Sequence, residues 1–286
     1  MGTLRGTSPA GRRVLITGAA RGIGAALAVR LHERGAQVAL AGIEPDLLSE
    51  VASRCGAPWR YCDVGDRTQV ERAVRELAGE LGGLDVVVAN AGIAKQLPLV
   101  GGDPEVLERT LRINVLGTYY TLRAAGPHIA HPDGYALAVA SLAAAVHVPL
   151  LGAYSASKAA VEALGNTLRT ELRPSGARVG VAYFAELDTE MTSRGFGTEA
   201  AAVITGGGPL GAVTPLRVGI DALERGLARR ARRIVAPRWV QAVLPVREAA
   251  QRVVDLRLRR HGVAEALDIA RKEDAQYTTP QPDGSP

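Results

Sequence analysis

Short apolar runs alternate with segments of helical apolar spacing from residue 12 to about residue 236. The runs at 13–17, 37–42, 59–63, 84–90, 135–141, 178–183 and 233–236 have strand length, and the stretches between them place apolar residues on one helix face. Such alternation predicts an α/β fold with a mainly parallel seven-stranded sheet. Because it runs unbroken, the 286 residues divide into a flexible N-terminus (1–11), one domain (12–238), a helical extension (239–271) and a polar, Pro-containing tail (272–286) expected to be disordered. No repeat occurs at solenoid periods.

The first strand runs directly into Gly18-Ala-Ala-Arg21-Gly22-Ile23-Gly24, and a helix closed by Gly35 follows. Glycines let a backbone take positive φ and approach a pyrophosphate closely. The helix N-terminus offers free N–H groups and a positive dipole end. Strand, glycine turn and helix are the context that a dinucleotide site requires. The spacing here is G-x-x-x-G-x-G after Thr17, not the common G-x-G-x-x-G.

Tyr154 and Lys158 stand four apart at the start of a helical segment, so their side chains share one face. A strand ending in Ser141 lies thirteen residues upstream of the tyrosine. A phenol with a pKa of about 10 is a poor acid or base at neutral pH, and a neighbouring cation favours phenolate. Together the three groups are equipment for moving a proton on and off a carbonyl/alcohol oxygen.

In order along the chain come Thr17–Gly24, Asp63-Val64, Asn90-Ala91-Gly92, Asn114, Ser141, Tyr154 and Lys158. This series resembles the short-chain dehydrogenase/reductase family, ordinary-length branch, over roughly residues 12–240. The resemblance implies a Rossmann-type doubly wound sheet of order 3-2-1-4-5-6-7 with helices on both faces. It also implies an NAD(P)(H)-dependent enzyme that interconverts a carbonyl and a secondary alcohol by hydride transfer. Tyr154 would be the general acid/base. Lys158 would bind the nicotinamide ribose and lower the tyrosine pKa, and Ser141 would orient the substrate oxygen. Asn114 would hold a water that relays protons to the lysine. Gly18, Arg21, Gly22, Ile23 and Gly24 would form the cofactor turn. Asp63 and the Val64 backbone would meet the adenine, with Asn90, Ala91 and Gly92 beside the adenine ribose. Each residue also has a plainer role open to it: Asn114 as a polar helix residue, Asp63 as a cap, Ser141 as the close of a strand. An epimerase or lyase on the same fold, or a non-catalytic dinucleotide-binding protein, are the alternative functions.

One segment departs from the family pattern. After the sixth strand the usual Pro-Gly is replaced by Phe184-Ala185, followed by Glu186-Leu187-Asp188-Thr189. Leu187 and Thr189 still fill the places that meet the nicotinamide amide, but losing both Pro and Gly changes the course of this loop. Phe184 is open to two roles, pocket wall or core filler. Further on, the small apolar stretch 142–151, Met191, Phe196 and a lid around Gly206–Pro209 suggest a small apolar ketone or alcohol as substrate. His147 is expected to be a loop histidine rather than a substrate contact.

The second strand ends in Gly42, where a fold that prefers NAD usually has an acid for the ribose 2′-hydroxyl. With Arg21 able to reach a 2′-phosphate, NADP is the expected cofactor; NAD remains possible because Glu44 lies two residues beyond Gly42.

The net charge is +5 and the late part of the chain is rich in arginine. This fits either an anionic partner or a solvated face with pairs such as Glu248–Arg252 and Asp255–Arg259, and the solvated face is the expectation. Nucleic-acid binding is not expected. The extension from Trp239 has a mostly apolar side (Val243, Val246, Ala250, Val253, Val254, Leu258) that could cover the substrate cleft, pack between subunits or, last in rank, touch a membrane. There is no apolar run long enough to span a membrane and no signal-peptide pattern. Two cysteines, Cys55 and Cys62, and five scattered histidines give neither a disulfide framework nor a metal site. A cytoplasmic homo-oligomer, dimer or tetramer by resemblance, is expected.

Overall fold

The computed structural model describes residues 8–195, 198–205, 213–259, 262–273 and 275–281. Through the sheet, β1 (Arg13–Thr17), α1 (Gly22–Glu33), β2 (Gln37–Gly42), α2 (Pro45–Cys55), β3 (Trp59–Tyr61), α3 (Arg67–Glu80) and β4 (Val86–Ala89) come first. Then follow α4 (Pro104–Leu111), α5 (Gly117–Ile129), β5 (Tyr135–Val139), α6 (Gly152–Glu171) and β6 (Arg178–Phe184). Next are α7 (Glu190–Gly195), α8 (Glu199–Thr205), α9 (Leu216–Arg229) and β7 (Arg233–Ala236). The seven strands pair in parallel in the order β3-β2-β1-β4-β5-β6-β7.

Successive strand residues point to opposite faces, so each strand feeds two cores. Leu15, Val87 and Ala136 meet Val74 and Leu77 of α3, Leu122 and Ile129 of α5, and Val161 of α6. Val14, Ile16, Val86 and Val88 meet Leu27 and Leu31 of α1, Leu48 of α2 and Leu223 of α9. Helices on both faces explain why the strands are apolar throughout rather than alternating.

Strands β3, β4 and β5 end before Asp63, Asn90 and Ser141, which the apolar pattern had included in the runs. These polar residues leave the ladder at the carboxyl ends of the strands, the rim where such sheets bind ligands. Phe184 is core filler as well as pocket lining: it ends β6 with 5 % exposure and also faces the cavity.

The extension forms α10 (Val240–Val243), α11 (Arg247–Leu258) and α12 (Val263–Ala270). Ala266 and Ala270 of α12 pack with Ala200 and Ile204 of α8 and with Leu150. The pairs expected along α11 do not form; Asp255 accepts instead from Gln251 at 2.8 Å. Residues 275–281, expected to belong to a disordered tail, are packed in part against the domain. Thr278 is fully buried, its N–H donates to the Ala94 carbonyl at 2.9 Å, and its hydroxyl accepts from the Ala94 N–H at 2.9 Å. Lys95 and Arg109 lie over the Tyr277 ring, 5.2 and 5.7 Å from its centre. A polar composition argued for solvation, but here the polar groups find protein partners. Residues 1–7 and 282–286, Phe196 and the expected lid Gly206–Pro209 lie outside the described residues. Among the described residues, no helix is long and apolar enough to cross a membrane.

Helix α6 can lie against β6 because Gly165 has no side chain: a Cβ there would stand 2.6 Å from Val181 Cγ2. Gly165→Leu should therefore lower the unfolding free energy by about 2 kcal/mol despite its better helix propensity. Urea denaturation checks this, and adding Val181→Ala should recover part of the loss. An unchanged midpoint in the single variant would show that α6 is not seated this closely.

Candidate active site

Gly18 and Gly22 take φ of +63° and +54°, which bends the chain from β1 into α1. A Cβ on Gly24 would collide with the Gly18 carbonyl oxygen, and one on Gly18 would lie 2.7 Å from Ala91 Cα. Three backbone segments therefore meet with no room for side chains. Asn90 ties them together, its Nδ2 donating to Thr17 O at 3.0 Å and to Gly18 O at 3.1 Å. The Thr17 hydroxyl accepts from the Asn90 N–H at 3.1 Å. Asn90 is thus a brace for the turn as well as a lining residue.

Arg21 precedes α1 and is held by two acids. Its Nε donates to Glu44 Oε2 at 2.8 Å, a second nitrogen completes a fork on Glu44, and a third meets Glu190. Glu44 and Glu190 were not expected here as partners of Arg21. Asp63 Oδ1 accepts from the Gly65 N–H at 2.8 Å, so the plainer turn role is real, while Asp63 also lines the cavity.

Asn114 lies in a π-helical turn, Arg112–Leu116, between α4 and α5 and is fully buried. Such a turn breaks the regular hydrogen-bond ladder and is common at functional sites. Its Oδ1 accepts from the Ile93 N–H at 2.8 Å, and its Nδ2 donates to the Ile93 carbonyl and to Ser157 Oγ, each at 2.9 Å. Ser157 Oγ in turn donates to the Tyr154 carbonyl at 2.7 Å. Sequence reasoning missed Ser157, although its i+3 spacing from Tyr154 on the same helix was a usable signal.

Tyr154 and Lys158 project from the first turns of α6 into the same space, both buried. Lys158 Nζ donates to the Val139 carbonyl at the end of β5 at 2.9 Å and lies 5.6 Å from the Tyr154 ring centre. Ser141 follows β5 and shares a hydrogen bond with the Tyr154 phenol. Its Oγ also accepts from the Ala143 N–H at 3.1 Å and reaches the Phe184 carbonyl at 3.4 Å. Burial raises the Tyr154 pKa, with the Ser141 hydrogen bond opposing. Desolvation of the phenolate is the larger of these two effects. Burial also lowers Lys158 to about 8.

One cavity of about 860 Å³ joins these groups. Gly18, Arg21, Gly22, Ile23, Asp63, Val64, Asn90, Ala91 and Gly92 line it at the turn end, and Ser141, Tyr154, Lys158, Leu187 and Thr189 line its middle. Gly24 and Asn114 stand behind this lining and act through their neighbours. Trp239, Val243, Val253 and Val254 of the extension and Thr278 of the tail also line the cavity, so its far end is roofed by the last part of the chain. The long cleft fits a dinucleotide, with bare backbone at the turn end and a Gly92 whose Cβ would stand 3.3 Å from Lys158 Nζ. His147 is a loop residue, its Nδ1 at 3.2 Å from the Ala143 carbonyl. Burial pushes the Cys62 thiol up to about 12, which keeps it protonated.

The lysine has a consequence for stability. Its folded pKa lies below the unfolded value, so between about pH 8 and pH 10.5 the unfolded chain binds more protons and stability rises with pH. Against Lys158→Met, the wild-type unfolding free energy should gain ground from pH 7.5 to pH 10, by at most about 1.4 kcal/mol per pH unit. Denaturant titrations across that window check it, and parallel curves would show that the ammonium is not desolvated.

The model of the family described as short chain dehydrogenase matches residues 12–200. Glycine betaine reductase ATRR of Emericella nidulans is 36% identical over 208 residues, which are 71% of this chain but only 16% of that protein. A short chain dehydrogenase from Burkholderia cenocepacia, solved with NADP, superposes with a TM-score of 0.73 at 27% identity, covering 88% of this chain and 98% of that one. The 3-ketoacyl-(acyl-carrier-protein) reductase of Brucella melitensis, complexed with NADH, gives a TM-score of 0.71 at 26% identity, over 81% and 99% of the two chains. Sheet order, glycine turn and family match agree: the chain belongs to the short-chain dehydrogenase/reductase family of oxidoreductases.

Proposed function

We propose that this protein interconverts a ketone and a secondary alcohol on an apolar small molecule, with Tyr154 as general acid/base. The observation that carries this reading is the meeting of Tyr154, Ser141 and Lys158 in one cavity that also contains the glycine turn. A nicotinamide dinucleotide, held along the cleft by the glycine turn, would supply or accept the hydride. Ser141 holds the substrate oxygen against the phenol, already its hydrogen-bond partner. Tyr154 gives its proton to the forming alkoxide, or takes one from the alcohol. Lys158, near neutrality and beside the ring, offsets charge on the phenolate and can return the proton. Asn114 fixes the Ile93 backbone and, through Ser157, the start of α6. The water relay inferred from the family belongs to the same proposal.

Cofactor choice turns on Arg21. With Gly42 leaving room at the end of β2, Arg21 is the group for a 2′-phosphate, which favours NADP(H). One observation favours NAD(H): Arg21 is already paired with Glu44 and Glu190, and Glu44 could accept from a ribose hydroxyl. A 2′-phosphate would have to replace the Glu44 carboxylate on the guanidinium fork.

Tyr154→Phe should lose at least about a hundredfold in turnover while binding cofactor as tightly as wild type. Steady-state rates beside nicotinamide fluorescence titrations measure both, and near-normal turnover in the variant would remove Tyr154 from its role. The same titrations compare NADPH with NADH. Glu44→Gln should tighten NADPH by about tenfold, because it frees the guanidinium and removes a repelling charge, and Arg21→Ala should weaken NADPH selectively. Tighter NADH than NADPH in wild type would assign the ribose to Glu44 instead.

A further inference from the structure

The loop after β6 gives the substrate end a polar feature that the hydride-transfer reading does not use. Phe184 and Leu187 turn into the core, 5 % and 4 % exposed, while Glu186 is half-buried and lines the cavity. Its backbone is fixed: the Glu186 carbonyl accepts from the Thr214 N–H at 2.9 Å, and Leu187 bridges Thr214. The Phe184 carbonyl lies 3.4 Å from Ser141 Oγ, so the loop starts at the group that would hold the reacting oxygen. A substrate leaving Ser141 and Tyr154 for the apolar end would pass along this loop.

Among the described residues, the Glu186 carboxylate makes no hydrogen bond and no ion pair. The other acids that line the cavity have partners: Glu44 and Glu190 hold Arg21, and Asp63 holds the Gly65 N–H. The polar groups nearer the roof are also engaged, Thr198 with Gln96 and Thr278 with Ala94. Much of the remaining lining is apolar, with Leu142, Val146, Leu150, Met191 and Val254, and the cations that line the cavity are Arg21, Lys158 and, on α11, Arg257. Burial accordingly pushes the Glu186 carboxyl up, and no neighbouring charge opposes it. A half-buried carboxylate in an apolar chamber is costly until a cation or donor reaches it.

We propose that Glu186 is the recognition site for a protonated amine carried by the substrate at a distance from its reacting carbon, so that the substrate class is apolar amino ketones and amino alcohols. This rests on the oxidoreductase reading above. An ammonium is the favoured partner because it meets an ionised carboxylate with both charge and hydrogen bonds. The apolar wall accommodates the carbon skeleton between the two polar ends.

The test uses the full chain with NADPH and two matched probes. One is a cyclohexanone with a propyl chain opposite the carbonyl. The other carries an aminoethyl chain of the same length. Wild type should favour the amine by about tenfold in kcat/KM. Glu186→Gln and Glu186→Leu should abolish that preference while leaving the propyl ketone within about twofold, the scatter of a change that touches no reacting group. No amine preference in wild type overturns the proposal. An equal loss on both ketones also overturns it, by showing a structural or general catalytic role. A weaker NADPH titration in Glu186→Gln overturns it too, by assigning the residue to the cofactor. Failure of wild type to reduce either ketone counts against the oxidoreductase reading instead. Calorimetry of the two probes with wild type and Glu186→Gln then decides the amine site: tighter amine binding lost in the variant supports it, and equal binding overturns it.

Discussion

One buried amide holds the catalytic side of the molecule in register. Asn114 spends its oxygen and both its N–H groups on Ile93 and Ser157, and Ser157 passes the constraint to the Tyr154 carbonyl. The loop after β4, the π turn before α5 and the start of α6 are thereby joined around a fully buried side chain. Removing the amide would strand a buried N–H and a buried carbonyl, each at about 1–3 kcal/mol. The π turn is the geometric cost of this arrangement, since it aims the amide at Ile93 rather than along the helix surface.

The two ends of the cavity solve different electrostatic problems. At the turn end, bare backbone and a guanidinium are offset by two carboxylates, so charge is present and already paired. In the middle, burial drives both Tyr154 and Lys158 toward their neutral forms, and the Val139 carbonyl is the main polar anchor of the ammonium. Proton transfer must work against this, because a raised Tyr154 pKa favours the neutral phenol and a lysine titrating at about 8 is still mostly an ammonium at pH 7. The glycine contacts that let backbone approach backbone at Gly18, Gly24 and Ala91 set how close these two ends lie.

The sheet was legible because its information is local. Each strand of the observed order corresponds to one apolar run, with deviations of one or two residues at the ends, and Asp63, Asn90 and Ser141 lie beyond the strands, where they line the cavity. The glycine turn and the Tyr154/Lys158 pair were legible for the same reason, since short fixed spacings carry them. What was not legible depends on contacts far apart in sequence. Arg21 reads as a free cation until Glu190 arrives from 169 residues away. The tail reads as solvated until Thr278 finds Ala94, 184 residues distant. Composition gives the mean behaviour of a segment and does not register a partner supplied by another element. For a related reason the helix spacing revealed the cation beside Tyr154 but not the depth of burial that raises the phenol's pKa.

The roof of the chamber has a history in time as well as a place in space. Asn114 is fixed by Ile93 and Ser157, Lys158 by Val139 and Ser141 by Ala143 and Phe184, whereas α11, α12 and Thr278 belong to the last part of the chain. On a ribosome, the residues proposed to handle the proton emerge before those of the roof. Substitutions in α11, α12 or at Thr278 would alter the roof without touching the bonds that join Asn114, Ile93, Ser157 and Tyr154.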